Sequence, residues 1–133
     1  MLALPHNCLY GTIPPELGSI RHLLSLELHG NGLSGEMPPS LYALENLQLL
    51  NLAEQWGETR VCTNTNGANV APLYARGGTQ MPLVENEGLT GELGPAMKNW
   101  RSLKGLYLFK NAFVGKIPEE IGAMRHLTYL WLK

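Results

Sequence analysis

Four glycines, Gly11, Gly35, Gly91 and Gly115, head four versions of one phrase: GTIPPELGSIRHL, GEMPPSLYALENL, GELGPAMKNWRSL and GKIPEEIGAMRHL. The outer spacings are both 24 residues and the middle one is 56. A chain that repeats itself at such a period folds as a stack of similar coils, because one copy alone cannot bury its apolar face and its neighbours must cover it. The apolar positions stay in register through all four copies. They form the columns Ile13/Met37/Leu93/Ile117, Leu17/Leu41/Met97/Ile121, Ile20/Leu44/Trp100/Met124 and Leu23/Leu47/Leu103/Leu127. Two more follow, Leu26/Leu50/Leu106/Leu130 and Leu28/Leu52/Leu108/Leu132. Columns of this length are not the pattern of an amphipathic helix.

The last two columns lie two residues apart. In a strand that spacing puts both leucines on one face and the residue between them on the other. Each copy therefore contributes a short strand, expected near 2–4, 26–28, 50–52, 81–84, 106–108 and 130–132, and successive copies stack them in parallel. Asn7, Asn31 and Asn111 follow their strands at a constant distance. An amide side chain carries donors and an acceptor. Buried in a turn, it satisfies backbone groups of its own coil and of the neighbour, so these residues read as a structural ladder. Gln55 stands at this position in one copy and predicts a looser turn there. Pro14, Pro38 and Pro118 lack a backbone N–H and fix φ, which favours an extended, turn-rich return over a helix. Gly94 takes that place once, with Pro95 following.

These residues carry a family resemblance. SLELHGNGLSGEMPPSL and GLYLFKNAFVGKIPEEIG resemble the plant-type leucine-rich repeat, whose pattern is LxxLxLxxNxLxGxIPxxLG. The resemblance covers about residues 2–54 and 81–133. It implies an α/β repeat fold: a leucine-rich-repeat solenoid with a parallel β-sheet on its concave face and an irregular, 3-10-rich convex side. Such repeats build extracellular regions of receptor-like kinases and receptor-like proteins, and also large algal repeat families. Residues 1–133 read as a single domain of about five repeats, partial at both ends.

After Leu52 the rhythm fails. The expected glycine falls on Thr59, the proline on Cys62 and the next core leucine on Thr65. The stretch from about 56 to 80 is rich in Gly, Asn and Thr, as loops are, and reads as an irregular, tolerated insertion more than as a binding loop. Its sparse core predicts that residues 57–79 open and are cut by proteases first. Two registers are available for the strand near 81–84. The one with Met81 and Leu83 in the core and Asn86 in the ladder restores two apolar residues and an amide, with Gly88 absorbing the extra residue in a bulge.

The chemistry of the remaining residues is bland. The formal charge of −1 gives no general attraction to nucleic acid or to an acidic membrane surface. Cys8 and Cys62 are too few for a disulfide framework and read as two free thiols. The opening residues lack the basic start and long apolar centre of a signal peptide, and no stretch approaches the ~20 apolar residues of a membrane span. The segment is therefore expected neither to target nor to anchor itself, although a longer parent could do both. His6, His22, His29 and His126 show no metal-ligand spacing. His22 and His126 occupy equivalent repeat positions and read as repeat surface chemistry. Cys62 has no nucleophile signature around it, there is no phosphate-cradling loop, and no Asn-x-Ser/Thr sequon occurs. No catalytic residue, cofactor or metal is expected.

What remains is the outward side of the strands. It carries Glu27, His29, Asn51, Glu54, Tyr107, Phe109, Tyr129 and Trp131, with Lys110 and Lys133 beside them. Tyr107 and Trp131 share a column in adjacent strands, and Tyr129 lies diagonally from Tyr107. An exposed aromatic cluster is the composition of interface hot spots, although cross-strand pairs that only stabilise the sheet have the same look. The other half of the face is polar and slightly acidic. A protein or peptide is the expected ligand. A carbohydrate stacked on Tyr107 and Trp131 is the weaker reading. The resemblance implies a recognition module at the extracellular face of a membrane, part of a larger receptor-like protein. The alternative is an intracellular interaction scaffold in the cytoplasm. Neither nucleic acid nor direct membrane contact is expected. The uncapped strands at Leu2/Leu4 and Leu130/Leu132 predict self-association and mark the chain as a piece of a longer array.

Overall fold

A computed structural model describes residues 1–7, 9–55 and 88–133. The described residues form short strands: β1 (Leu2–Ala3), β2 (Tyr10–Gly11), β3 (Ser25–Glu27), β4 (Gly32–Leu33), β5 (Gly35–Glu36), β6 (Leu49–Asn51), β7 (Leu89–Glu92), β8 (Gly105–Tyr107), β9 (Ala112–Val114) and β10 (Tyr129–Trp131). Five of them make one all-parallel sheet in the order β1-β3-β6-β8-β10. Its register runs leucine to leucine: Leu2 beside Leu26, Leu26 beside Leu50, Leu50 beside Leu106 and Leu106 beside Leu130. This is the expected one-strand-per-repeat sheet. Smaller parallel sheets, β2-β4 and β5-β7-β9, follow the turn in each coil.

The two strand columns form the floor of the core. Leu26, Leu50 and Leu106 are 0% exposed, and Leu28, Leu52 and Leu108 are buried beside them. Each such side chain contributes about 1.5–3 kcal/mol by leaving water. On β10 the cover ends, and Leu130 is 41% exposed.

The amide ladder is present, but Gln55 belongs to it fully. Asn31 donates from Nδ2 to Leu4 O (2.9 Å) and Leu28 O (2.7 Å) and accepts from the Leu9 N–H (3.1 Å). Gln55 repeats the inter-coil half of the pattern, donating from Nε2 to Leu28 O (2.7 Å) and accepting from the Leu33 N–H (3.1 Å). It is 1% exposed. The links between coils are thus kept at Gln55, and the course of the turn beyond it lies outside the described residues. The extra methylene of Gln55 shifts its second, local contact to Ala53 O (3.3 Å) and leaves the links between coils intact. Asn111 closes the series on Leu52 O (2.8 Å), Leu108 O (3.0 Å) and the Leu89 N–H (2.9 Å). Among the described residues Asn7 bonds only locally, to Pro5 O (3.0 Å).

The returns are 3-10 turns, Pro15–Ser19, Pro39–Ala43, Pro95–Asn99 and Glu119–Ala123. An extended residue precedes each one: Pro14, Pro38, Gly94 or Pro118. Proline's fixed φ suits that position. Trp100, the one aromatic in its column, is fully buried and donates from Nε1 to Leu41 O (2.9 Å), so its polar atom is satisfied.

The strand expected near 81–84 lies outside the described residues, and in the sheet β6 pairs directly with β8. Asn86 lies outside the described residues too, and Asn111 reaches straight to Leu52 O. The 56-residue interval is thus one period of 24 plus 32 residues, the length of the segment 56–87 that lies outside the described residues. Cys8, Cys62 and the expectations for residues 57–79 also lie outside the described residues. The described chain resumes at Gly88, whose φ is +78°.

Candidate binding face

The outward side of the five-stranded sheet is built by alternation. With leucines turned inward, the opposite positions form rows across the coils, and the register places Glu27, Asn51, Tyr107 and Trp131 in one of them. A second row runs Ser25, Leu49, Gly105 and Tyr129. Backbone pairing continues beyond the strands, with the Gly30 N–H donating to Ala53 O (3.0 Å) and the Glu54 N–H to Phe109 O (2.9 Å). His29, Ala53 and Phe109 accordingly make a third row.

The C-terminal half of this face is aromatic. The Trp131 ring lies 6.3 Å from Tyr107 at 70° and 5.2 Å from Phe109 at 59°, in the tilted and edge-on range where aromatic pairs attract. Trp131 remains 60% exposed and Tyr129 61% exposed, while Tyr107 and Phe109 are half-buried. Gly105 permits the arrangement. A Cβ there would stand 2.9 Å from Tyr107 Cε2 and 3.0 Å from Leu49 Cδ1, so the missing side chain leaves room for the tyrosine ring beside Leu49.

The N-terminal half is polar and self-engaged. The Ser25 hydroxyl donates to Glu27 Oε1 (2.8 Å), and Asn51 Oδ1 accepts from the Ala53 N–H (3.3 Å). His29 meets His6 edge to face at 4.9 Å, and its Nδ1 is buried without a hydrogen-bond partner among the described residues.

Glu54 does not hold an alternating outward position, and it pairs with Lys110, which stands beside the face as expected from its place in the repeat. The residue after each extended strand is left-handed: His6 (φ 53°), Gly30 (φ 69°), Glu54 (φ 57°) and Lys110 (φ 54°). For a non-glycine residue that conformation costs about 1–2 kcal/mol. It rotates Glu54 and Lys110 to the rim of the face, where their side chains pair at 2.9 Å. Lys110 is largely exposed in that pair, so the bridge contributes about 1 kcal/mol at most. Ala53, not Glu54, holds the outward position next to Asn51. Ser25, Leu49, Ala53 and Gly105 are members of the face that the sequence reading missed. Counting back two residues from Glu27, Asn51 and Tyr107 would have found three of them.

On the convex side a cavity of about 270 Å³ opens between Met37, Tyr42, Gly94 and Ala96. Tyr42 stacks on Trp100 at 4.8 Å, and its phenol oxygen accepts the Gly94 N–H. Burial pushes the Tyr42 phenol above its ordinary pKa, and the Gly94 hydrogen bond opposes part of that rise. Among the described residues no group of three or more His, Cys, Asp or Glu could hold a metal ion.

A family model described as Leucine Rich Repeat matches residues 22–44. No curated protein matches the sequence. Several solved structures do match the chain. One is the Arabidopsis receptor kinase HAESA in complex with the peptide hormone IDA and the co-receptor SERK1, with a TM-score of 0.71 and 27% identity over 98% of this chain and 16% of that one. A second is the LRR ectodomain of the plant membrane receptor kinase GASSHO1/SCHENGEN3 from Arabidopsis thaliana, in complex with CASPARIAN STRIP INTEGRITY FACTOR 2. It gives a TM-score of 0.71 and 27% identity over 99% of this chain and 12% of that one. The LRR ectodomain of the Arabidopsis thaliana receptor kinase SOBIR1 gives 0.68 and 26%, over 98% of this chain and 54% of that one. The chain thus spans between 12% and 54% of the length of these relatives.

Proposed function

The chain is a leucine-rich-repeat solenoid of the plant type, and on that premise we propose that its concave sheet binds a peptide or an extended segment of a protein. The observation that carries the reading is Trp131. It lies 6.3 Å from Tyr107 and 5.2 Å from Phe109 on the outward side of the sheet, so the three rings brace one another into a rigid aromatic surface. Clustered, pre-ordered aromatics supply much of the binding energy at protein interfaces, because little side-chain freedom is lost on docking. Tyr129 and Leu49 extend this surface, and Lys133 borders it. The polar half, from Glu27 to Asn51, supplies hydrogen-bonding groups that select orientation.

The HAESA structure contains a bound peptide hormone, which supports the same ligand class here. The module is a recognition element, not a catalyst, and belongs to a larger receptor-like protein at the extracellular face of a membrane. No helix among the described residues is long and apolar enough to cross a membrane itself.

The test is a selection of random peptides displayed on phage against the whole chain, followed by calorimetry of the enriched sequences. Peptides that bind the chain and lose affinity on Trp131→Ala support the reading. Enriched peptides indifferent to both Trp131→Ala and Tyr107→Ala overturn it.

A further inference from the structure

The cavity on the convex side lies between the 3-10 turns Pro39–Ala43 and Pro95–Asn99, and the residues explain why the coils part there. One step earlier the convex side is closed. Gly18 lies so near the next turn that a Cβ on it would collide with the Ser40 carbonyl, and the Ser40 hydroxyl donates to Pro15 O at 2.6 Å. Tyr42 stands at the repeat position of Gly18, and its ring props the following pair of turns apart. Ala96 stands at the position of Ser40 and has no hydroxyl to draw them together. Gly94 lacks the ring of Pro14, Pro38 and Pro118, and a Cβ there would meet nothing nearer than Tyr42 Oη at 3.8 Å. A void of about 270 Å³ is left. Its floor and its mouth differ in chemistry. Tyr42 and Met37, each 7% exposed, form the floor, with Pro39 and Ala96 as walls. The Tyr42 oxygen accepts the Gly94 N–H, but its own proton has no acceptor among the described residues. The mouth carries two exposed carboxylates, Glu36 on β5 and Glu92 on β7, and these strands pair directly. Neither carboxylate has an ion pair among the described residues, and Lys116, one coil beyond Glu92 in the same column, makes none with it.

We propose that this cavity binds a small aromatic amine that carries a hydroxyl, of the tyramine class. The ring lies on the apolar floor, the ammonium sits between Glu36 and Glu92, and the ligand hydroxyl oxygen accepts the Tyr42 proton. Size selects a single ring. A cavity of about 150 Å³ takes benzene, so about 270 Å³ takes one ring with a short arm. Length agrees. Glu92 and Gly94, the partner of the Tyr42 phenol, are separated by at most about 7 Å of chain, the scale of a ring and its arm. Charge selects a cation, because an ammonium offers three donors and carboxylates accept them in strong, charge-assisted bonds. A buried phenol proton with no acceptor selects a ligand oxygen, since an unmade hydrogen bond in a buried place is costly. Apolar walls with a few convergent polar groups are the usual build of a small-molecule site. The site faces away from the concave sheet and does not depend on what that sheet binds.

The experiment titrates the whole chain with tyramine, read by calorimetry and by saturation transfer to the ligand protons. Tyramine binds saturably at millimolar concentrations. Phenethylamine, which lacks the hydroxyl, binds more weakly, and para-hydroxyphenylacetate, with a carboxylate in place of the ammonium, does not bind. Glu36→Gln with Glu92→Gln weakens tyramine about tenfold, as the loss of charge-assisted bonds implies. Ala96→Leu fills the void and abolishes binding, a second and independent loss if the glutamine variant does not fold. Glu45→Gln, an exposed carboxylate outside the cavity, leaves the affinity unchanged. Circular dichroism confirms the fold of each variant. No saturable binding of tyramine, or retained affinity in the folded cavity variants, overturns the proposal. Spermidine, which has the charge and no ring, binding as tightly as tyramine overturns its aromatic assignment.

Discussion

The phenol oxygen of Tyr42 accepts the backbone N–H of Gly94 at 3.0 Å, across 52 residues of sequence. Gly94 stands where three other copies carry proline, and proline could not make this bond. The departure from the repeat is thus a donor supplied to a side chain that is 7% exposed. Gly94→Pro sets two effects against each other. Stiffening the unfolded chain stabilises by about 0.4–1 kcal/mol, while stranding a buried hydroxyl costs about 1–3 kcal/mol. Net destabilisation of about 1 kcal/mol in urea unfolding is expected. In a Tyr42→Phe background the same substitution should become neutral or stabilising. Equal effects in both backgrounds would show that the bond contributes nothing.

Tyr42 also predicts a pH dependence. Its phenol is raised above the ordinary 10.0, first by burial. Below about pH 10 both the folded and unfolded states keep the proton, and the full contribution is present. Above that pH the unfolded chain ionises first, so stability falls as pH rises through the folded-state value. Unfolding free energies between pH 8 and 11 (about the range tyrosine titration spans) should decline more steeply for the natural chain than for Tyr42→Phe. Parallel declines contradict the assignment.

The ladder makes a local prediction. Gln55→Ala strands the Leu33 N–H in a buried turn while the Leu28 carbonyl keeps its bond from Asn31, and Asn111→Ala strands the Leu52 carbonyl and the Leu89 N–H. Each should cost about 1–3 kcal/mol. Hydrogen exchange should accelerate at the Leu33 amide for the first and at Leu89 for the second. Unchanged protection at those two amides would mean that water replaces the side chain freely.

Leu50→Ala and Leu106→Ala remove fully buried side chains from adjacent strands of the sheet. A loss of about 2–5 kcal/mol is expected for each. Because the two leucines are register partners, their effects should not add. A double-mutant cycle by chemical denaturation measures the coupling, and strict additivity would argue against the direct β6–β8 pairing.

Much of this architecture is legible in the residues, for a physical reason. Leu26, Leu50, Leu106 and Leu130 must all meet the same neighbour, so burial writes one residue type down a column. The proline returns and the Asn ladder are legible on the same ground. The left-handed corner is not, because His6, Gly30, Glu54 and Lys110 answer a demand on φ that leaves side-chain chemistry free. That is why Glu54 was expected on the face and stands at its rim. The break after Gln55 is a different case. Met81, Leu83 and Asn86 satisfy the local pattern of a strand and turn, but pairing is long-range, and the residue pattern alone does not show that β6 pairs directly with β8. On the candidate face the aromatics were legible from alternation. Gly105 was not, since its role is the space that it leaves for Tyr107.

The central claim is that the aromatic concave face engages a peptide. Amide chemical shifts of the isotope-labelled chain, followed as a phage-selected peptide is added, test it most directly. The account predicts that perturbations concentrate at Gly105–Phe109 and Tyr129–Trp131, and that Trp131→Ala weakens the same peptide by about 2 kcal/mol or more, as a hot spot does. Perturbations confined to the 3-10 turns of the convex side, with an affinity that Trp131→Ala leaves unchanged, would contradict it.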